Sequence, residues 1–127
     1  MTETQERANV RYVVDDVQAA VDFYTTHFGF ELNMSAAPAF ADVARGPLRL
    51  LLSGPPSSGS RSTPDDHSDA GRNRVLLVVD DLDAEIARLG EAGLSFSSEV
   101  VSGPGGRQIL VADPASNLVE LFEPADG

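Results

Sequence analysis

The sequence predicts an α+β fold of two βαβββ modules whose curved mixed sheets lie around a cleft, and three observations predict it. The run Val13-Val14-Asp15-Asp16 returns as Val78-Val79-Asp80-Asp81, 65 positions later counting from 13 to 78. Each copy ends an apolar run of strand character and opens a segment of helical spacing that closes at a glycine, Gly29 and Gly93. Between the copies, Gly54 to Gly71 is dense in Ser, Pro, Gly and Asp, a composition that fits no packed element. The 127 residues read as one domain, with module one over about 8–53, a linking loop over about 54–72 and module two over about 73–124.

Asn9 to Val14 is rich in β-branched and aromatic residues and predicts a strand. Asp15 or Asp16 caps the helix that follows, and Asp15 with Gln18 resembles a capping box. Val17, Ala20, Val21, Tyr24 and Phe28 keep helical spacing, and Gly29 suits the left-handed residue that ends a helix. Strands are predicted over Phe30–Met34, Ala39–Ala44 and, after a Gly46-Pro47 turn, Leu48–Leu52. A loop as long as Gly54–Gly71 is uncommon in a compact domain and reads as a lid over a site or as a segment without order.

The second half repeats the order. Asn73–Val79 predicts a strand, and Asp80 or Asp81 caps a helix whose Leu82, Ile86 and Leu89 face inward. Strands follow over Ser95–Val101, Gln108–Ala112 and Leu118–Glu123, separated by the turns Gly103-Pro104-Gly105-Gly106 and Asp113-Pro114-Ala115-Ser116-Asn117. One short helix covers one face of each sheet, so the opposite faces are left to form a cleft for a ligand.

Composition narrows the function. Nine basic residues against 20 acidic ones leave a net charge of −11, which repels phosphate backbones and anionic lipids and disfavours nucleic-acid and membrane roles. No apolar run approaches the roughly 18–20 residues of a membrane-spanning helix. Met1 to Arg7 is polar and carries no export signal, so a cytoplasmic location is expected. The absence of cysteine excludes disulfides, thiol nucleophiles and thiolate metal sites.

Two stretches carry a family likeness. Asp16-Val17-Gln18-Ala19-Ala20-Val21-Asp22-Phe23-Tyr24 with Gly29-Phe30 after it, and Asp113-Pro114-Ala115-Ser116-Asn117-Leu118-Val119-Glu120-Leu121 near the end, resemble the vicinal oxygen chelate superfamily. Glyoxalase I, extradiol dioxygenases, fosfomycin-modifying enzymes and bleomycin-resistance proteins belong to it. The likeness runs from about Ala8 to Pro124 and is specific for the fold, not for the function, because the family holds both enzymes and binders. It implies that metal-dependent relatives hold a divalent ion with a first-strand histidine from each module and a Glu, His or Gln near each module's end.

Carried over residue by residue, the two first-strand positions are Asn9 and Arg74. The closing-motif position is Glu120, and the fourth lies within Leu48–Leu52, where every candidate is leucine or Arg49. Arginine cannot ligate a cation, because its guanidinium is always charged and has no lone pair to give. It is expected to pair with Glu120 instead. Strand alternation places Asn9, Arg11 and Val13 on one face, Arg74, Leu76 and Val78 on the matching face, and Leu118, Glu120 and Phe122 in the same parity.

The expected ligand-binding residues are therefore Asn9, Arg11, Arg49, Arg74, Leu76, Gln108, Glu120 and Phe122, with no metal, no cofactor and no catalytic residue. Phe40, Phe96 and Phe122 are candidate stacking faces for an aromatic ligand. Glu120 serves equally well as a structural partner of Arg74 or Arg11; as a catalytic base it would be weakened by the arginine beside it. Asn9 hydrogen-bonds a ligand or caps a strand end. Arg107 faces the cleft, a partner chain or water. His27, in the last turn of the first helix, reads as structural. His67, among Asp65, Asp66 and Asp69, reads as a solvated loop tip.

The resulting expectation is a metal-free homodimer of the bleomycin-resistance type that sequesters a mostly apolar, aromatic small molecule. The dimer is implied by the resemblance alone. The alternatives are a metal-dependent lyase, transferase or dioxygenase of the same family, and metal-free acid/base chemistry by Glu120 on an electrophile held by Arg74.

Overall fold

Each half of the chain folds as strand, helix and three further strands, and the second half repeats the first. The computed structural model describes residues 8–57, 71 and 73–125. Module one comprises β1 (Ala8–Val13), α1 (Val17–His27), β2 (Glu31–Ala36), β3 (Phe40–Arg45) and β4 (Leu48–Ser53). Module two comprises β5 (Arg74–Val78), α2 (Leu82–Glu91), β6 (Val101–Gly103), β7 (Gly106–Ala112) and β8 (Leu118–Pro124).

The helices start and stop where local chemistry requires. Asp16 caps α1 by accepting from the Ala19 amide at 3.0 Å, and Asp81 caps α2 by accepting from the Ala84 amide at the same distance. Asp15 forms no capping box with Gln18, whose amide turns instead to Asp22 one turn on, at 2.9 Å. Val17, Ala20, Val21 and Tyr24 are buried along one face of α1. In α2, Leu82 and Leu89 are buried and Ile86 packs against the core from its edge. Gly29 and Gly93 follow the two helices at φ +70° and +88°, in the left-handed region where a side chain is strained.

Each sheet is mixed. The first has the order β1-β4-β3-β2 and the second β5-β8-β7-β6, with the outer pair β1/β4 or β5/β8 parallel and the rest antiparallel. Tyr12, Leu50, Leu52, Ala41 and Val43 bury one face of the first sheet, and Val75, Leu77, Val119, Leu121, Ile109 and Val111 one face of the second. These faces join the helices in a single apolar core.

The closing motif ties the modules together. Asp113 Oδ1 accepts from the amides of Ala115 and Asn117 at 2.8 and 2.9 Å, holding the turn, while its Oδ2 accepts the Tyr24 hydroxyl of α1 at 2.7 Å. Asn117 Oδ1 accepts from the Asn73 amide at 3.0 Å, and its Nδ2 donates to the Val13 carbonyl at 3.5 Å. Burial first, and then the negative charge of Asp113, push the Tyr12 and Tyr24 phenols well above the usual tyrosine range.

One expected strand is largely lost. Over Ser95–Val101 the chain keeps a single bridge, Phe96 to Val111, and regular pairing starts only at Val101. The Ser98 hydroxyl accepts the Leu110 amide at 3.1 Å, so a side chain replaces a backbone partner there. Most of the predicted 54–72 loop, His67 included, and Met1–Arg7 lie outside the described residues.

Candidate functional site

Strand pairing sorts the expected ligand residues onto two surfaces. Asn9 pairs with Arg49, Arg11 with Leu51 and Val13 with Ser53, and β3 adds Phe40, Asp42 and Ala44 to the same face. On the second sheet Arg74 pairs with Leu118, Leu76 with Glu120 and Val78 with Phe122, and β7 adds Gln108, Leu110 and Ala112. These are the faces turned away from the helices. Leu76 and Val78 stay 48% and 57% exposed, values that mark the second face as uncovered within the single chain. All eight expected residues lie on these two faces, three on the first sheet and five on the second.

Repeat and register together narrow the fourth position that the family resemblance implies. Arg11 and Leu76 are equivalent by the 65-residue repeat, and their partners are Leu51 and Glu120, so Leu51 stands in β4 where Glu120 stands in β8. The four positions are thus Asn9, Leu51, Arg74 and Glu120. A divalent ion finds one carboxylate there, one weak amide donor, one side chain with no donor and one fixed cation. The set does not fit a metal. Among the described residues no group of three or more His, Cys, Asp or Glu side chains gathers elsewhere to hold one.

Arg74 takes up the carboxylate that remains. Its Nε and Nη2 both donate to Glu120 Oε1, at 2.9 and 2.7 Å. Glu120 is buried while the Arg74 side chain is nearly half exposed, so the carboxylate sits under its counter-ion.

The first face carries a second ion pair of different construction. Arg49 Nη2 reaches the buried Asp42 at 3.0 Å from the neighbouring strand. This bond, more than its charge, raises the already high Arg49 pKa. Arg11 Nη1 donates to the buried hydroxyl of Ser53 at 2.8 Å. Sequence reasoning missed Asp42 and Ser53. The signal for Asp42 was a carboxylate inside the apolar run Phe40-Ala41-Asp42-Val43-Ala44, where burial requires a partner.

Other candidates fall outside the two faces. Phe96 bridges to the fully buried Val111 and packs against the core, so it offers no stacking face, whereas Phe40 and Phe122 lie half-buried on the open faces. Arg107 alternates to the helix side and bonds Asp83 and Glu123, away from the two open faces. Glu123 also accepts the Leu82 amide at 2.9 Å; that bond and then Arg107 hold its carboxyl below the usual range. A cavity of about 630 Å³ opens at this end of the second sheet, lined by Asp80, Ser102, Arg107 and Glu123, and contains none of the eight expected residues. His27 packs edge-on against Phe23, their ring centres 5.6 Å apart.

The sequence as a whole was compared with known proteins. The model of the Glyoxalase/Bleomycin resistance protein/Dioxygenase superfamily matches residues 7–121. The chain belongs to this superfamily. A cadmium-induced protein of Mycobacterium tuberculosis is similar at 32% identity, over 80% of this chain and 72% of that protein. Superfamily structures align along nearly the whole chain. An antibiotic-binding protein from Streptomyces sp. CB03234 is similar at 28% identity and TM-score 0.73, covering 98% of both chains. A lactoylglutathione lyase from Agrobacterium tumefaciens shares the fold at 24% identity and TM-score 0.77, covering 96% of both. Among the described residues no helix is long and apolar enough to cross a membrane.

Proposed function

We propose that this chain is a metal-free, cytoplasmic binding protein of the bleomycin-resistance type, which sequesters a mostly apolar, aromatic small molecule without transforming it. The observation that carries the reading is the Arg74–Glu120 pair: a permanent cation occupies a family ligand position and holds the one usable carboxylate. Leu51 and Asn9 at the two remaining positions supply no strong donor. The antibiotic-binding relative lends support, as a protein of this fold whose described task is to bind.

The binding cleft of this reading forms between two copies of the chain. β1 and β5 are edge strands, and the open faces beside them carry Leu76 and Val78, with Met34 and Val101 exposed on the outer strands β2 and β6. Uncovered edges and apolar faces of this kind invite pairing with another chain. A two-fold dimer that sets β1 of one chain beside β5 of the other faces Asn9 and Arg11 toward the Arg74–Glu120 surface. Apolar walls with a few fixed polar groups suit an aromatic ligand.

A thermal-shift screen of aromatic natural products, followed by mass analysis of the bound compound, tests the reading. The expected result is a stabilising compound recovered intact after prolonged incubation. Recovery of a chemically altered product, with turnover abolished in Glu120→Gln, overturns it in favour of catalysis.

A further inference from the structure

All nine cations of this chain are arginines, and six of them, at 11, 45, 49, 74, 88 and 107, are among the described residues. Four of the six meet carboxylates: Arg49 with Asp42, Arg74 with Glu120, Arg88 with Glu85, and Arg107 with Asp83 and Glu123. Arg45 gives its Nη1 to the Phe28 carbonyl on the helix side. Arg11 differs from all of these. It lies exposed on the first open face, and its described bond runs to a neutral hydroxyl, Ser53, at 2.8 Å.

That bond has a consequence for binding. A guanidinium offers five N–H donors in a rigid fork, and one bond to a buried serine orients the fork while leaving most of it uncommitted. Its neighbours on the face are the half-buried Leu51 and Val13 and the neutral Asn9, and the Asp42 carboxylate beyond Leu51 is already paired with Arg49, so an anion arriving there meets a guanidinium whose remaining donors can make charge-assisted hydrogen bonds. The two other arginines of the open faces are already neutralised.

We propose that Arg11 is the anion anchor of the ligand face, so that the ligand is an apolar or aromatic molecule bearing one acidic group such as a carboxylate or sulfonate. The proposal rests on the reading of the open faces as the binding surface. It also limits the ligand. With a net charge of −11 the protein repels polyanions over distance, so one acidic group on an apolar body fits, whereas a nucleotide or polyphosphate does not.

Two dyes of one ring system separate the acidic group from the apolar body: 8-anilino-1-naphthalenesulfonate carries the sulfonate and N-phenyl-1-naphthylamine lacks it. In fluorescence titrations, wild-type protein is expected to prefer the sulfonate by about tenfold or more at low salt, and less as salt rises. Arg11→Gln is expected to bring the preference to about one with naphthylamine affinity unchanged, and Arg11→Lys to keep part of it. Arg88→Gln, on the far surface of α2, leaves both affinities as they are. Equal binding of the two dyes by wild type, or loss of the preference in Arg107→Gln and not in Arg11→Gln, overturns the anchor while saturable naphthylamine binding leaves the apolar cleft standing. Failure of both dyes to bind overturns cleft and anchor together.

Discussion

Arg74 lays two of its guanidinium donors on a single oxygen of Glu120, at 2.9 and 2.7 Å, across the parallel pair β5/β8. The bond joins two of the positions from which metal-binding relatives are expected to draw ligands. Its chemistry is opposite to theirs: the charge that balances the carboxylate belongs to the protein and cannot leave.

Removing that charge strands the carboxylate. Glu120 is only 8% exposed, so Arg74→Ala leaves a buried anion without its partner. Because the arginine itself is half exposed, the expected loss is roughly 1–2 kcal/mol, below the 3–5 kcal/mol typical of breaking a fully buried pair. Glu120→Gln costs less, since Arg74 turns to water. Chemical denaturation of the two variants checks the order; an unchanged midpoint in Arg74→Ala contradicts it.

The two core tyrosines are expected to behave differently when the hydroxyl is removed. Tyr24→Phe deletes the 2.7 Å bond to Asp113 that ties α1 to the closing turn, at a cost of roughly 1–3 kcal/mol. The Tyr12 hydroxyl is fully buried and has no hydrogen-bond partner among the described residues, so Tyr12→Phe is expected to be neutral or stabilising within about 1 kcal/mol. Urea unfolding at neutral pH distinguishes them. Equal destabilisation by both substitutions would contradict the assignment.

The same phenols make the fold sensitive to alkali. Burial, then the Asp113 carboxylate, raises both folded-state pKa values, so the unfolded chain releases its tyrosine protons first. Their contribution is complete below about pH 10, where unfolded tyrosine titrates, and drains as pH climbs toward the folded values. The expected slope is about 1.4 kcal/mol per pH unit for each phenol. Stability measured between pH 8 and 11 should fall less steeply in Tyr12→Phe than in wild type.

A charge on the open face tests the dimer. Val78 is 57% exposed in the single chain, so Val78→Asp should fold normally. If two copies bury that face, the variant sediments as a monomer while wild type sediments as a dimer. A monomeric wild type at micromolar concentration rules the arrangement out.

The fold was legible because local signals agree with one another. Paired aspartates at Asp16 and Asp81 cap the helices, glycines at 29 and 93 end them, and alternation along β1 and β5 assigns faces without any tertiary information. Arg74–Glu120 was legible because the parity of the two strands and the opposite charges point to one contact. The pairing of Arg49 with Asp42, and Ser53 beside Arg11, were not, since β4 reads Leu-Arg-Leu-Leu-Leu-Ser and a nearly continuous apolar run hides its register. Over Ser95–Val101 the ladder is interrupted where the Ser98 hydroxyl accepts the Leu110 amide, a donor that regular pairing would give to the backbone.

Elemental analysis of protein purified without a metal-affinity tag, after exposure to zinc, manganese and nickel, tests whether Arg74 excludes a metal from Glu120. With Arg74 fixed on Glu120, no stoichiometric divalent ion is expected, and Arg74→Ala alone should not create a tight site because Leu51 and Asn9 still fail as ligands. One ion per chain in the wild type, lost in Glu120→Ala, would contradict the account.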